Sequence, residues 1–129
     1  MKTIFASLLL TSVIALSSFV QNSNIDAVIG ALRSGNAAEL SNYFDANVEL
    51  TLPDQSDSYS KAQAVQILKD FFNNNGVKSF EVKHKGDAGG GQFCIGTLQT
   101  KSGNFRTTVF MKAKNSKDLV KEIRFQPIE

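Results

Sequence analysis

The spacing of apolar residues changes at Val77, and this change constrains the fold more than any other feature of the chain. Before it, apolar residues such as Ile25, Val28 and Leu32 recur every three or four positions, which is the spacing of one helical face. After it, apolar and polar residues alternate, which is typical of strands with one buried face. Helices grouped before strands predict an α+β fold and not a series of βαβ units.

Capping residues divide the N-terminal part of the chain into three predicted helices. The first runs from Asn24 to Gly35, where a glycine suits the left-handed end of a helix. Asn36 opens a second, short helix, because its side chain can accept a hydrogen bond from the first turn. Ser60 and Gln63 have the spacing of a capping box, so a third helix begins there. The broad apolar face that follows predicts that this third helix is the longest and the best buried.

One strand is predicted between the second and third helices, and four more follow the change of spacing. Residues 47–52 alternate and end at Pro53, while residues 54–58 form a polar turn. The later strands form an antiparallel meander connected at residues 86–91, 101–104 and 115–118. The strand side chains expected to face inward are Phe80, Val82, Phe93, Ile95, Val109, Met111, Ile123 and Phe125.

The composition excludes several classes of function. The chain has 14 Lys and Arg against 12 Asp and Glu, and a net charge of +2 is too small for a nucleic-acid groove. Cys94 is the only cysteine and His84 the only histidine, so the chain lacks the residues for an intrachain disulfide or a typical zinc site. We therefore expect no metal, no cofactor and no nucleic-acid partner.

The first twenty residues have the pattern of a secretory signal peptide. Lys2 precedes an uncharged apolar run at residues 4–16, and small and polar residues follow. The run is short for a membrane span and lacks a basic flank that would stop transfer. A lipid anchor would need a cysteine directly after the run, and Cys94 is far away. We expect a signal peptide at 1–20 and one α+β domain at 21–129, periplasmic or extracellular, with no membrane anchor after processing.

Two stretches of the chain carry a resemblance to a known fold. Residues 34–50 (SGNAAELSNYFDANVEL) have the order helix, turn, short helix, strand, and residues 120–125 (VKEIRF) form an apolar closing strand. With the long meander, they resemble the nuclear transport factor 2-like superfamily, and within it most of all small secreted bacterial domains of unknown function. The resemblance covers nearly the whole mature chain. It implies three helices packed on a curved antiparallel sheet, forming a cone whose apolar concavity serves as an active site, a ligand pocket or neither.

Two classes of function follow from this resemblance. Its isomerase and dehydratase branches imply an acidic general base inside the cone, where an apolar environment raises the carboxyl pKa. No acid occurs among the inward positions, and Asp45 and Glu49 are explained by a helix end and the solvent side of a strand. We favour a non-enzymatic domain that binds a small apolar ligand or a protein partner. The alternative is an isomerase-, dehydratase- or hydrolase-like enzyme that uses His84 or an acid in the cone.

Four residues are candidates for lining the cone pocket. Tyr43 and Tyr59 are the two tyrosines of the chain, and both lie on segments that could border the cone mouth. His84 alternates in register with Phe80 and Val82, so its imidazole is expected to point inward. We assign Tyr43, Tyr59, Phe80 and His84 to a candidate ligand-binding pocket and assign no catalytic residue.

Two further features have structural explanations. Cys94 lies in an apolar strand and is most simply a small buried residue. The glycine-rich residues 86–91 are not followed by a helix, as a phosphate-binding loop would be, and therefore predict a hairpin connection.

The meander carries apolar side chains on both faces, although helices can cover only one. Phe93 and Val109 belong to one parity of the strands, while Cys94, Leu98 and Phe110 belong to the other. An uncovered apolar face tends to be an association surface. We therefore expect a homodimer formed through the sheet, as is common among the cones that this chain resembles.

The first testable prediction concerns export. The chain recovered from its native location should lack about the first twenty residues, because a charged and then apolar start is a targeting element. Intact-mass spectrometry of the native protein measures this directly. A membrane-bound protein that still begins with Met1 would contradict it.

Overall fold

Three helices pack against one face of a six-stranded curved sheet in the computed structural model, which describes residues 24–128. Helix α1 spans Asn24–Ser34, α2 spans Ala37–Ser41 and α3 spans Lys61–Asn75. The strands are β1 (Phe44–Leu52), β2 (Gln55–Ser60), β3 (Val77–Ala88), β4 (Gly91–Thr100), β5 (Gly103–Lys114) and β6 (Lys117–Pro127). The predicted α+β class is confirmed, while the proposed signal peptide lies outside the described residues.

The strand order is β2-β1-β6-β5-β4-β3, and β6 therefore lies between the first hairpin and the later meander. Neighbouring strands are antiparallel except for β1 and β6, which run parallel. This parallel pair forms because the chain crosses from β2 through α3 to β3 at the far edge of the sheet, and the meander then returns to β1 in β6. Strands β2 and β3 are left as the two edges.

The helix boundaries agree with the capping signals. The Asn36 side chain accepts a hydrogen bond from the Glu39 amide at 3.0 Å. Ser60 and Gln63 form the reciprocal capping box, in which Ser60 Oγ accepts from the Gln63 amide at 3.2 Å and Gln63 Oε1 accepts from the Ser60 amide at 3.1 Å. Gly76 ends α3 with φ of 73°, a left-handed conformation that favours glycine.

The core lies between α3, α1 and the concave face of the sheet. Aromatic rings join the helix to the sheet: the half-buried Phe71 ring lies 4.8 Å from that of Phe125 and 5.2 Å from that of Phe105. The Phe72 ring lies 6.0 Å from Phe125, nearly perpendicular to it. Rings at these distances and tilts have the usual geometry of aromatic packing. The concave side of the cone is therefore filled by the protein's own side chains.

Three element predictions were wrong. Helix α3 is the longest helix described, but it is not the best buried, because α1 has five buried side chains in 11 residues and α3 has three in 15. Residues 54–58 do not form a turn, because the turn is confined to Pro53 and Asp54 and strand β2 begins at Gln55. The residues of β2 are mostly exposed, so the strand has no apolar alternation to reveal it and owes its structure to pairing with β1. Strand β1 also begins earlier than residue 47, at Phe44, and its register with β6 is irregular between Phe44 and Glu49.

The expected inward set was wrong on β4. Cys94 and Leu98 are fully buried, whereas Phe93 and Ile95 are only partly buried and share the opposite face with Phe110. Both parities of this strand carry apolar side chains, so alternation alone could not select the inner one. The remaining inward assignments agree with burial, except that Val82 is half-buried.

The second testable prediction concerns the aromatic core. Phe72 is 3% exposed, so Phe72→Ala should lower the free energy of unfolding by about 3–5 kcal/mol, through lost burial and the cavity left behind. Lys69→Ala, at an exposed position of the same helix, should change it by less than about 0.5 kcal/mol. Urea denaturation measures both. A loss below about 1 kcal/mol for Phe72→Ala would show that this ring contributes little to the core.

Candidate functional site

The four residues assigned to a cone pocket do not come together. Phe80 is buried in the core, and Tyr43 is half-buried next to β1, where its carbonyl accepts a hydrogen bond from the Val120 amide at 2.7 Å. Tyr59 lies on β2 and His84 on β3, the strands at opposite edges of the sheet. Each of these two lines a different surface depression.

The inward orientation expected for His84 was wrong. The register of β3 with β4 shifts between Val82, which pairs with Gly96, and His84, which pairs with Ile95. This irregularity inserts one extra residue in β3, so that beyond it the side chains that alternation would place on the inner face lie on the outer face. His84 therefore shares the outer face with Ile95, while Lys85 pairs with the buried Cys94 on the inner side. A single-residue bulge of this kind has no clear signal in the sequence.

Asp45 is the only buried charged side chain among residues 24–128. Its Oδ1 lies 3.0 Å from Lys114 Nζ and accepts a hydrogen bond from the Ala46 amide at 2.7 Å, and its Oδ2 lies 3.3 Å from Lys121 Nζ. The hydrogen bonds from Lys114 and the Ala46 amide, with a smaller one from Lys121, outweigh burial and lower the pKa of Asp45 to about 2. This carboxylate is held as an anion that ties the start of β1 to β5 and β6, and it is a weak base.

The Cys94 thiol is also unsuited to catalysis, because it is protonated near neutral pH. Burial raises its pKa to about 11, partly offset by the positive charges of Lys85 and Arg33. A thiol with such a pKa is neutral and unreactive near neutral pH. Cys94 faces the core and His84 the outer face, so the two do not form a dyad. The prediction that Cys94 is a buried apolar residue is confirmed.

The outer face of the sheet, opposite the helices, carries an apolar strip. We call Phe93, Ile95 and Phe110 the outer strip. Phe93 and Phe110 are direct partners on β4 and β5, and Phe110 is 37% exposed. The helix-covered face of the same two strands carries Cys94, Leu98 and Val109, all fully buried. Large apolar side chains are thus present on both faces, as the sequence predicts.

A groove lies beside the outer strip, with a volume of about 320 Å³. We call it the outer groove, and it is lined by Lys83, His84, Ile95, Gly96, Thr97, Arg106 and Ile128. Ile128 follows β6 and is 46% exposed; its amide donates a hydrogen bond to the Asn104 carbonyl at 3.0 Å. Sequence reasoning missed Arg106 and Ile128, because their proximity to His84 depends on the register of three strands.

The hairpin connection between β3 and β4 lies within residues 86–91, as predicted, but it is shorter than predicted, because β3 extends to Ala88 and β4 begins at Gly91. Gly89 and Gly90 make the turn with positive φ values of 57° and 84°. Within residues 24–128, no three His, Cys, Asp or Glu side chains are placed to hold a metal ion. In the same part of the chain, no helix has both the length and the apolar character needed to cross a bilayer.

The architecture of a helical layer on a curved six-stranded sheet defines the fold class of this chain. It matches a nuclear transport factor 2-like protein of unknown function from Cytophaga hutchinsonii with a TM-score of 0.59 and 12% identity, over 84% of this chain and 93% of that chain. At that identity the likeness concerns the fold alone. The chain belongs to the family described as a domain of unknown function, DUF4783, which it matches over residues 25–126.

Two solved members of this family are similar in sequence as well as in fold. A family protein from Bacteroides uniformis is 35% identical, with a TM-score of 0.78 over 81% of this chain and 96% of that chain. Another from Bacteroides ovatus is 36% identical, with a TM-score of 0.77 over 80% of this chain and 94% of that chain. A comparison with curated proteins finds no match. The resemblance to small nuclear transport factor 2-like domains of unknown function is thereby confirmed.

The third testable prediction concerns Asp45. Its pKa lies below the value of an unfolded aspartate, so the ionised carboxylate stabilises the fold above about pH 4, and this contribution is lost as the pH falls toward 2. Asp45→Asn should lower the free energy of unfolding at pH 7 by about 1–2 kcal/mol, because both lysine partners are half-exposed and can return to water.

The control for this prediction is Asp70→Asn, at an exposed position of α3. It should change stability by less than about 0.5 kcal/mol at pH 7. Urea denaturation from pH 7 to pH 2.5 should show the gap between wild type and Asp45→Asn narrowing below pH 4. A gap that stays constant over this range would show that the Asp45 charge does not stabilise the fold.

Proposed function

We propose that this chain is an exported, non-enzymatic domain that binds protein on the outer face of its sheet, and that one partner is a second copy of itself. The outer strip is the observation that supports this most. Phe93 and Phe110 form a cross-strand aromatic pair on a face without helices, and Phe110 is substantially exposed. Exposed apolar patches with aromatic residues are typical of association surfaces.

The surroundings of the outer strip fit the rim of an interface. Glu122 is the cross-strand partner of Phe110, and it forms an ion pair with Arg124 at 2.6 Å. Thr108 on β5 is the cross-strand partner of Ile95, the third residue of the outer strip. Charges of both signs around an apolar centre suit an interface between identical copies, in which each patch meets itself across a two-fold axis.

The filled cone disfavours the other two candidate functions. A small apolar ligand inside the cone would have to displace the packed rings of Phe71, Phe105 and Phe125. An isomerase- or hydrolase-like reaction would need a base or nucleophile there, but Asp45 is bound to two lysines and Cys94 is a neutral thiol. A binding role on the outer face requires neither a cavity nor an activated side chain.

Export is supported by the sequence of the first twenty residues. The proposed location is the periplasm or the extracellular space, reached through the signal peptide and without a remaining membrane anchor. The absence of a second cysteine is compatible with an oxidising compartment, because Cys94 is buried and has no partner with which to cross-link.

The fourth testable prediction concerns self-association. The chain should be a dimer at tens of micromolar in sedimentation velocity, and Phe110→Lys should make it a monomer, because the substitution places a charge in the apolar centre of the interface. Gln66→Lys adds the same charge on the exposed side of α3 and should leave the dimer intact. Thermal unfolding checks that both variants are folded.

Two results would contradict this proposal. A wild-type chain that stays monomeric as its concentration rises would exclude a second copy as the partner. A dimer that Phe110→Lys does not weaken would place the interface elsewhere, such as the exposed edge of β2.

A further inference from the structure

The outer groove combines an apolar floor with a cationic rim, and the two lie close enough for one small molecule to contact both. Ile95 and Ile128 supply the apolar surface, and Lys83 and Arg106 supply positive charge. We propose that the outer groove binds a small monocarboxylate with an apolar chain, with the carboxylate at Arg106 and Lys83 and the chain along the two isoleucines. This site goes beyond the proposed protein-binding function.

The charge of the outer groove points to an anion. The Arg106 side chain is exposed, and although its backbone pairs with β4 and β6, its guanidinium forms no hydrogen bond or ion pair with the rest of residues 24–128. Its guanidinium therefore has its full set of donors available for the two oxygens of a carboxylate. Among residues 24–128, no carboxylate side chain lines the groove. A guanidinium without a partner beside an apolar surface favours a ligand that is negatively charged at one end.

Lys83 can serve as a second donor. Its ammonium lies 3.3 Å from Glu81 Oε1, and both side chains are more than half exposed. An exposed ion pair of this kind contributes little and is easily exchanged for another partner. His84 borders the same groove and adds an imidazole that can donate one further hydrogen bond.

The apolar floor argues against a purely ionic ligand. In the described part of the chain, two large apolar side chains are exposed, and Ile128 is one of them; the other is Phe110. A simple inorganic anion would leave Ile95 and Ile128 in contact with water, whereas an alkyl chain would cover them. The volume of about 320 Å³ lies at the small end for ligand sites, which suits a medium-chain acid.

The groove and the proposed dimer interface share Ile95, so the two properties need separate measurements. Phe93 and Phe110 do not line the groove. A monomeric Phe110→Lys variant keeps every lining residue and leaves Ile95 uncovered, so it should bind the acid at least as tightly as wild type does. Binding by this variant separates failure of the ligand site from failure of the dimer.

The fifth testable prediction uses sodium decanoate as the probe. Titration followed by amide shifts in NMR should saturate with a dissociation constant on the order of 0.1–1 mM, with the largest shifts at the groove residues on β3, β4 and β5. Arg106→Gln should weaken binding about tenfold, because it removes a charge-assisted contact. The matched control is Lys112→Gln, an exposed cation of the same strand outside the groove, which should change the affinity less than about twofold.

Two further probes measure the contributions of the carboxylate and of the alkyl chain separately. Acetate has the charge without the chain and decanol the chain without the charge, so each should bind at least about tenfold more weakly than decanoate. Decanoate shifts that do not saturate, or that map to the depression at Tyr59 and Ile67, would overturn the proposal. So would equal weakening by Arg106→Gln and Lys112→Gln, which would show general attraction to a cationic surface.

Discussion

An aromatic contact between α3 and the end of β6 joins the helical layer to the middle of the sheet. Phe125 is fully buried, and the rings of Phe71 and Phe72 lie against it at 4.8 and 6.0 Å. Because β6 is hydrogen-bonded to β1 on one side and to β5 on the other, this contact anchors the helix to the middle of the sheet. The rings that make the contact also fill the concavity, so the inside of the cone is a core.

The parts of the fold that the sequence predicts are those determined by near neighbours in the chain. The caps at Asn36 and Ser60 use hydrogen bonds between residues three positions apart. Gly76 ends α3 because its own φ of 73° suits glycine. The turns at residues 89–90 and 115–116 are also local, and all four of their residues adopt positive φ values, as expected of tight hairpins. None of these features depends on how the sheet is assembled.

The features that the sequence does not predict depend on pairing between strands. Strand β2 has no buried alternation and exists because β1 lies beside it. The inner face of β4 is selected by the register that places Cys94 opposite Val109, since either face of that strand is apolar enough to be buried. The orientation of His84 depends on one irregular step in β3. The inward orientation of His84, which was expected from alternation alone, was therefore wrong because β3 contains one extra residue at this step.

Two regions of the outer face differ in polarity, although both lie opposite the helices. On β1 and β2, the side chains of this face are polar, and they include Glu49 with its partner Ser58 and Thr51 with its partner Ser56.

On β4 and β5, the same face carries Phe93 paired with Phe110, and Ile95 lies two residues further along β4. Both regions lie on the face opposite the helices, so a requirement for solubility alone would favour polar residues in both. The apolar residues occur at the end where a cationic groove also opens. Packed aromatic side chains occupy the concave side of the cone, and this end of the outer face is the surface on which the proposed binding sites lie.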